Sequence, residues 1–294
     1  MSSVDIIVPC HNYGRFLRQC VESVLAQSHR DLRVLILDDA SRDNTAEVAA
    51  ALAAADPRVA VHRHAVNRGH IATYNEGIGL VTADYMLLLD ADDYLLPGAV
   101  ARVVAVLDAT PEVGLVHGAC IASRPGDRLP PSDGGVEIMD SAAFLEASAL
   151  RNLVCTPTAF VRTALQKKLG GYKPELPHAG DLEMWLRFAL SSRVAFIRMP
   201  QAEHRMHDAN MSRGYDPAAD LRQCIGAFRP HLAEIRARMP EGLALAVRIR
   251  RILAERARRQ ARRAFVRGRL LVFARLVGLW LGESVAATAA ALRR

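Results

Sequence analysis

Over residues 1–100, apolar positions keep two rhythms in turn. Short runs dominated by aliphatic residues, "VDIIVP" (4–9), "LRVLILDD" (32–39), "RVAVHRH" (58–64) and "DYMLLLDADD" (84–93), begin and stop abruptly, as buried strands do. Between them, "RFLRQCVESVLAQS" (15–28), residues 44–55 and "IATYNEGIGLV" (71–81) return an apolar residue every third or fourth position, the period of a helix with one buried face. This βαβαβαβ order predicts a mostly parallel sheet with helices on both faces, because a parallel connection needs a crossover long enough to hold a helix. Sites in such sheets lie outside the carboxyl ends of the strands.

Further along, Pro97 opens a helix expected over 97–109, and "VGLVHGACIAS" (113–123) reads as a strand. "RPGDRLPPSDGG" (124–135) has the composition of a surface loop. Order resumes over 158–169, followed by a loop over 170–180, a helix "DLEMWLRFALSS" (181–192) with Asp181 at or near its start, and a strand "VAFIRMP" (194–200). "HRMHDANMSRG" (204–214) reads as a loop, and everything beyond about 217 as helix.

The chain has 294 residues, 51% of them apolar, enough to bury the core of one large domain with an appendage. Its cysteines (Cys10, Cys20, Cys120, Cys155, Cys224) are odd in number and form no Cys-x-x-Cys pair. Neither a disulfide framework nor a zinc ribbon is predicted, and a reducing cytoplasm is the expected setting. "MSSVDIIVPCHNYG" lacks the basic segment of a secretory signal, so none is expected. The formal charge of +7 is uneven: residues 246–294 hold 13 Arg, no Lys and two Glu, a net of +11, leaving 25 basic against 29 acidic side chains, a net of −4, in residues 1–245. A nucleic-acid protein would spread basic and aromatic residues over its folded domain, so no nucleic-acid partner is expected.

Asp38 and Asp39 end the second run, Asp90, Asp92 and Asp93 the fourth, and His11, Asn12 and Tyr13 follow the first, so one sheet edge collects them all. Solvated acids capping the helix at Pro97 are one reading. A calcium loop is a poorer one, since "DADDYLLPG" lacks the central glycine and distal glutamate. A covalent aspartyl nucleophile would be expected after the first strand, not the fourth. A Mg²⁺ or Mn²⁺ ion bridging nucleotide phosphates fits best, because such ions take hard oxygen ligands, few of them from protein, and would relieve the repulsion while stabilising a departing diphosphate.

The stretches "DIIVPCHNYGRFLRQCVESVLAQS", "VLILDDASRDNT", "NRGHIATYNEGI", "DYMLLLDADDYLLPG", "GGY", "GDLEMWLRF" and "RMHDANMS", in that order over roughly residues 4–213, resemble the family 2 glycosyltransferases of GT-A (nucleotide-diphospho-sugar transferase) fold. The resemblance implies an α/β catalytic domain over 1–214, with 1–93 as its nucleotide-binding half and 94–214 as its acceptor and catalytic half, and an Arg-rich helical extension over 215–294. It implies an inverting, metal-dependent transfer of a sugar from a nucleotide-diphosphate donor, a UDP- or dTDP-sugar ahead of a purine one. The acceptor would be a hydroxyl of a glycan or lipid-linked molecule, as in cell-surface polysaccharide or glycolipid synthesis.

Carried over residue by residue, the resemblance gives Pro9, His11, Asn12 and Tyr13 to the base pocket, and Asp38 and Asp39 to the paired acids that meet base or ribose. Arg68 contacts the diphosphate, with Asn67 and Gly69 forming its turn. Within Asp90-Ala91-Asp92, Asp90 serves the ribose or metal-bound water and Asp92 the Mn²⁺ or Mg²⁺ ion, with Asp93 as an alternative ligand and His207 completing the metal or diphosphate site. Ser41 is left outside the site as a cap for the next helix. Asp181 is the implied general base, taking the acceptor hydroxyl's proton. The position before it is Gly180 where the family has a Glu, and Glu183 points elsewhere on the helix. Trp185 and Leu186 are expected in the core.

Residues 270–292 are long and apolar enough to suggest a membrane span, but Arg275 and Glu283 interrupt them, each costing roughly 2.5–3.5 kcal/mol near a bilayer centre. The 246–294 region is therefore expected either to lie on the inner face of the plasma membrane or to serve as a packing or dimerisation element. Two rival functions stay open. A sugar nucleotidyltransferase would carry a Gly-rich phosphate loop where "PCHNYGRF" stands, and a catalytically silent nucleotide-binding or membrane scaffold is made conceivable by Gly180.

Overall fold

The computed structural model of the chain describes residues 2–123, 132–208, 210 and 214–292. Most of the loop expected over 124–135 lies outside the described residues, as do Ala209, Met211 and Ser212 of the "RMHDANMS" stretch. The elements begin β1 (Val4–Cys10), α1 (Gly14–Leu25), β2 (Leu32–Asp38), α2 (Thr45–Ala55), β3 (Val59–Arg63), α3 (His70–Leu80) and β4 (Tyr85–Leu88), the alternation the hydrophobic pattern predicts. They continue β5 (Tyr94–Leu95), α4 (Ala99–Ala109), β6 (Val113–Ser123), β7 (Val136–Met139), α5 (Ser141–Leu150), β8 (Phe160–Arg162), α6 (Thr163–Leu169), α7 (Gly180–Ser191) and β9 (Arg193–Arg205). Four helices follow: α8 (Pro217–Phe228), α9 (His231–Arg238), α10 (Gly242–Val266) and α11 (Leu270–Ala291).

The chain divides into two compact units. The first comprises residues 1–139, 154–174 and 191–207 and contains the whole sheet, in the order β3-β2-β1-β4-β8-β6-β9-β5, with β7 paired to β9. β1 is buried at every position and pairs in parallel with β2 along its full length, Val4↔Leu32 through Cys10↔Asp38, and with β4 over Val4–Ile7. The Leu89 N–H bonds the Ile7 carbonyl, so the alternation of a strand turns Pro9 toward the β4 side at a point where β4 has already ended. A proline is therefore tolerated in the middle of the sheet.

Beyond β4 the sheet is mixed. β8 is antiparallel to both β4 and β6, β5 and β7 are antiparallel to β9, and β6 and β9 are parallel. The parallel arrangement expected from the sequence thus belongs to β1–β4. β5, β7 and β8 are only two to four residues long, too short for a period of two to register. β9 runs on to Arg205, so His204 and Arg205, expected in a loop, are strand residues.

The second unit is helical and takes in residues 140–153 and 175–190 together with the chain from 208 onward, so the division between units does not coincide with the expected boundary after 214. The reason is α7, which buries Leu182, Glu183, Met184, Trp185, Leu186 and Phe188, nearly all round its circumference, and must be covered by other helices. Inside this unit α11 packs along α10 and touches α8. It is the helix among the described residues long and apolar enough to cross a membrane, with a mean hydropathy of 1.6. Its Glu283 is 5% exposed and accepts from Arg250 Nη1 at 2.7 Å, which ties the helix to its neighbour.

One ion pair, between a buried carboxylate and a half-exposed guanidinium, fixes the start of the sheet. Asp5, 2% exposed, accepts both Nε and Nη2 of Arg33 on β2 (2.9 and 2.7 Å) and the N–H groups of Thr82 and Ala83 ahead of β4. Burial opposes ionisation, but the guanidinium and the two N–H groups outweigh it and hold the carboxyl below its ordinary value. Arg33→Ala leaves this buried carboxylate with the Thr82 and Ala83 N–H groups and should lower unfolding stability by about 2 kcal/mol, read by urea denaturation. A depressed pKa contributes stability above the unfolded value and loses it as pH falls through the folded one. The wild type should therefore approach the variant's stability below about pH 4, and an undiminished gap in acid would contradict this account.

Candidate functional site

The carboxyl ends of β1 and β2 are stitched together by hydrogen bonds. His11 Nδ1–H donates to the Asp39 carbonyl at 2.7 Å and Asn12 Nδ2–H to His11 Nε2 at 2.9 Å. The Asn12 N–H donates to Ser41 Oγ at 2.9 Å, and Asn12 Oδ1 accepts from the Arg42 N–H at 2.8 Å. Asn12 and Ala40 both adopt left-handed backbone, φ 59° and 56°, which is unusual for residues other than glycine. Together with Arg63, His64 and the following residues through Asn67 these loops line a cavity of about 850 Å³.

The paired acids after β2 brace its walls. Asp38, fully buried, accepts from the Ser41 N–H at 2.9 Å and lies 3.1 Å from Arg63 Nε. Asp39 accepts from His64 Nδ1 and the Arg68 N–H, both at 2.7 Å, and from the Gly69 N–H at 2.9 Å. Burial alone would raise this carboxyl; the two N–H groups and the His64 ring outweigh it and hold it below the ordinary range. Gly69, at φ 84°, supplies the turn into α3 that a side chain would resist. The Arg68 guanidinium pairs with Glu76, which also meets His64 Nε2 at 3.2 Å.

The second group of acids follows β4. The register Tyr94↔Glu203 between β5 and β9, continued by one residue, brings Asp93 opposite His204. Asp93 Oδ1 lies 3.1 Å from His204 Nδ1 and accepts the Arg205 N–H at 2.9 Å. Two residues on, His207 Nε2 reaches Asp92 Oδ2 at 2.9 Å. The His207 ring stacks on Phe16 (4.8 Å between centroids) and meets Tyr13 edge-on (5.6 Å). Asp90 accepts from the Tyr74 hydroxyl at 3.0 Å. Burial, then Asp92 and Asp93, push Asp90 up to about 8; burial and Asp93 raise Asp92 against the pull of His207. The bond to Asp93 lifts His204 to about 9.

Among the described residues no group of three or more His, Cys, Asp or Glu side chains is arranged to hold a metal ion. The chemistry of what is present still suits one. A carboxylate and an imidazole converge at Asp92 and His207, and the adjoining acids carry repulsion a cation would relieve. Mg²⁺ and Mn²⁺ accept such a short protein ligand set, completing their shells with phosphate and water.

Asp181 belongs to the helical unit. One turn of sequence explains its setting: α7 begins at Gly180, and the Asp181 carboxylate takes the Leu182 N–H at 2.6 Å and Asn152 Nδ2 at 2.8 Å. Burial, with a further contribution from Asp220 on α8, raises Asp181 to about 6. Glu183 is engaged elsewhere, meeting Arg187 Nη2 at 2.9 Å and His231 Nε2 at 3.0 Å.

Of the residues expected in a base pocket, His11 and Asn12 line the cavity, whereas Pro9 is buried in β1 and Tyr13 packs on His207 beside Asp90 and Asp92. Asp38 and Asp39 brace the cavity rather than line it. Ala91 is fully buried among core residues. Ser41, expected to cap α2, lines the cavity and receives the Asn12 N–H, and the residue before α2 is Asn44. Arg42, Arg63, His64, Tyr74 and His204 escaped the sequence reading. Only His64 carried a usable signal there, ending a strand run at the same edge as the acids.

Comparison with known proteins follows the same outline. The profile of Glycosyl transferase family 2 matches residues 5–161. An uncharacterized glycosyltransferase of Nostoc sp. is 33% identical over 114 residues, 39% of this chain and 35% of that protein. TarS (1–349) from S. aureus, solved in complex with UDP-GlcNAc, superposes with a TM-score of 0.67 at 19% identity, covering 86% of this chain and 71% of that one. The mannosyltransferase PcManGT from Pyrobaculum calidifontis, in complex with GDP-Man and Mn²⁺, gives 0.57 at 20% identity over 96% and 87%. The structural likeness establishes a GT-A fold. The chain spans about a third of the length of the Nostoc relative.

Asp39 holds the Arg68 amide and shares the Gly69 amide with Asn67 Oδ1 at 3.0 Å, so Asp39→Ala should speed hydrogen exchange at Arg68 by at least about tenfold, as expected for losing a bond to a charged acceptor, and at Gly69 by less. Unchanged protection would show that the loop keeps its shape without the carboxylate.

Proposed function

This chain belongs to glycosyl transferase family 2, and on that premise we propose that it is an inverting transferase moving a sugar from a nucleotide-diphosphate donor to the hydroxyl of a glycan or lipid-linked acceptor. The observation that carries the reading is the gathering of Asp90, Asp92 and Asp93 with His204 and His207 at the carboxyl edge of the sheet, the edge that also bears the polar cavity. The cavity takes the nucleoside, with His11, Asn12 and Ser41 offering donors and acceptors to the base and ribose, and Arg42 and Arg63 offering cations. Asp92 and His207 would hold Mn²⁺ or Mg²⁺, which neutralises charge on the leaving diphosphate when bound. Support for a cation also comes from the Mn²⁺ of the Pyrobaculum mannosyltransferase. Free cysteines throughout the described chain suit a reducing cytoplasm, and the product fits cell-surface polysaccharide or glycolipid synthesis.

Asp181 is the proposed general base. The acceptor oxygen attacks the anomeric carbon as the bond to the diphosphate oxygen breaks, configuration inverts, and the hydroxyl proton passes to the Asp181 carboxylate. Asn152 orients that carboxylate, and its value of about 6 keeps it ionised near neutrality yet more basic than an ordinary aspartate.

Three outcomes test this. One nucleotide among UDP, dTDP, GDP and CDP should raise the melting temperature in a Mn²⁺-dependent way, UDP or dTDP being expected, and Asp92→Ala should abolish the shift; no shift with any of them would refute the donor site. Asp181→Asn should leave that shift intact while lowering kcat by roughly 10²–10⁴; a loss of binding as well, or no loss of rate, would remove Asp181 from the role. The carboxyl must be deprotonated to act, so kcat/KM should be level above about pH 7 and fall tenfold per unit below the Asp181 value of about 6.

A further inference from the structure

The turn between α10 and α11 is built rigidly and carries apolar side chains outward. Gly268, at φ 67°, donates its N–H to the Phe265 carbonyl while Arg269 donates to that of Ala264, the paired bonds of a glycine-terminated helix that leave the next residue free to start α11. The Phe265 and Phe273 rings meet across the turn, 5.2 Å between centroids. Around it, Phe265, Val266, Leu270 and Leu271 are 59%, 77%, 64% and 78% exposed. The outward face continues along α11 through Gly278, Leu281 and Val285, a spacing that follows the helix, and a side chain added at Gly278 or Gly282 would meet nothing within 4 Å. The opposite face is fastened inward by Leu276, Glu283 and Ala287, with Glu283 on Arg250. α11 thus has one face committed to the helical unit and another that the described residues leave uncovered.

Charge decides what covers it. From residue 256 to 282 the chain has eight Arg and no acid, and Arg262, Arg263, Arg267 and Arg269, all exposed, surround the apolar turn. A second copy docked face to face would set these arginines against one another. An anionic bilayer complements both features, since exposed leucine and phenylalanine enter the acyl boundary and the guanidinium groups meet lipid phosphates.

We propose that the α10–α11 hairpin is a membrane-docking element in which the turn at Phe265–Leu271 inserts into an anionic phospholipid surface and the outer face of α11 lies along the interface. The proposal stands apart from the transferase reading, and its test needs no donor or acceptor.

The experiment is sedimentation of the full chain with phosphatidylcholine vesicles, with and without phosphatidylglycerol, at two salt concentrations, alongside sedimentation velocity without lipid. The wild type should partition onto the phosphatidylglycerol vesicles, less so at high salt, and scarcely onto phosphatidylcholine. Leu270→Ser with Leu271→Ser should abolish partitioning without altering the melting temperature, because both side chains are exposed. Arg262→Gln and Arg267→Gln should each lower the partition coefficient about fivefold, and they keep the test decisive if the serine variant misfolds. Equal binding to neutral vesicles, no binding to either, or arginine variants that bind as the wild type does would overturn the proposal. So would a lipid-free dimer that the serine substitutions dissociate, which would assign this face to a second copy of the chain.

Discussion

Asp90, Asp92 and Asp93 sit where β4 leaves the core, and mutual repulsion between buried carboxylates is the constraint around which the sheet-bearing unit is organised. Each acid has its own answer. Asp93 is met by His204 and the Arg205 N–H, Asp92 by His207, and Asp90 by the Tyr74 hydroxyl. Three of these partners, His204, the Arg205 N–H and His207, come from the end of β9 and just beyond it, more than a hundred residues along the chain, so the pairing of β5 with β9 is an electrostatic requirement as much as a step in the ladder. The compensation is incomplete, as the raised values of Asp90 and Asp92 indicate. That residual cost is what a cation can relieve, and sites that bind strongly charged ligands commonly carry such a debt.

The second feature of the edge is division of labour among acids. Asp38 and Asp39 hold two loops in place through N–H groups and side-chain cations, leaving His11, Asn12, Ser41 and the arginines to face the cavity. A rigid frame behind adaptable polar groups lowers the ordering cost of binding a flexible ligand. The left-handed backbone at Asn12 and Ala40 belongs to the same arrangement, being maintained by the bonds that cross between the loops.

The helical unit uses buried charge differently. Glu183, fully buried in α7, joins Arg187 and His231, and Glu283 joins α11 to α10. Each acid would be costly alone, so each fixes one register of helix against helix. Asp181, two residues from Glu183 and on a different face of the helix, has Asn152 and a backbone N–H as its hydrogen-bond donors among the described residues and a correspondingly elevated value.

The alternation of β1 through β4 with α1 to α3, and the gathering of acids and polar loop residues at one edge, were legible in the chain because each depends on local periodicity or on where a run ends. The family followed from short stretches in fixed order. The division of roles was not legible. Asp38 and Asp39 look like ligand contacts in the sequence, while in the structure they also hold the Ser41, Arg68 and Gly69 N–H groups and meet Arg63 and His64, and Tyr13, which looks like a base platform, lies against His207. Ser41 looks like a helix cap until the loops meet. Nor could the two-to-four-residue strands β5, β7 and β8, or the membership of residues 140–153 and 175–190 in the helical unit, be read in advance. These features are set by contacts between segments far apart in sequence, where which oxygen meets which proton depends on register and packing. The order of residues alone determines the kind of chemistry available at the edge, and the tertiary structure decides which groups remain free to perform it.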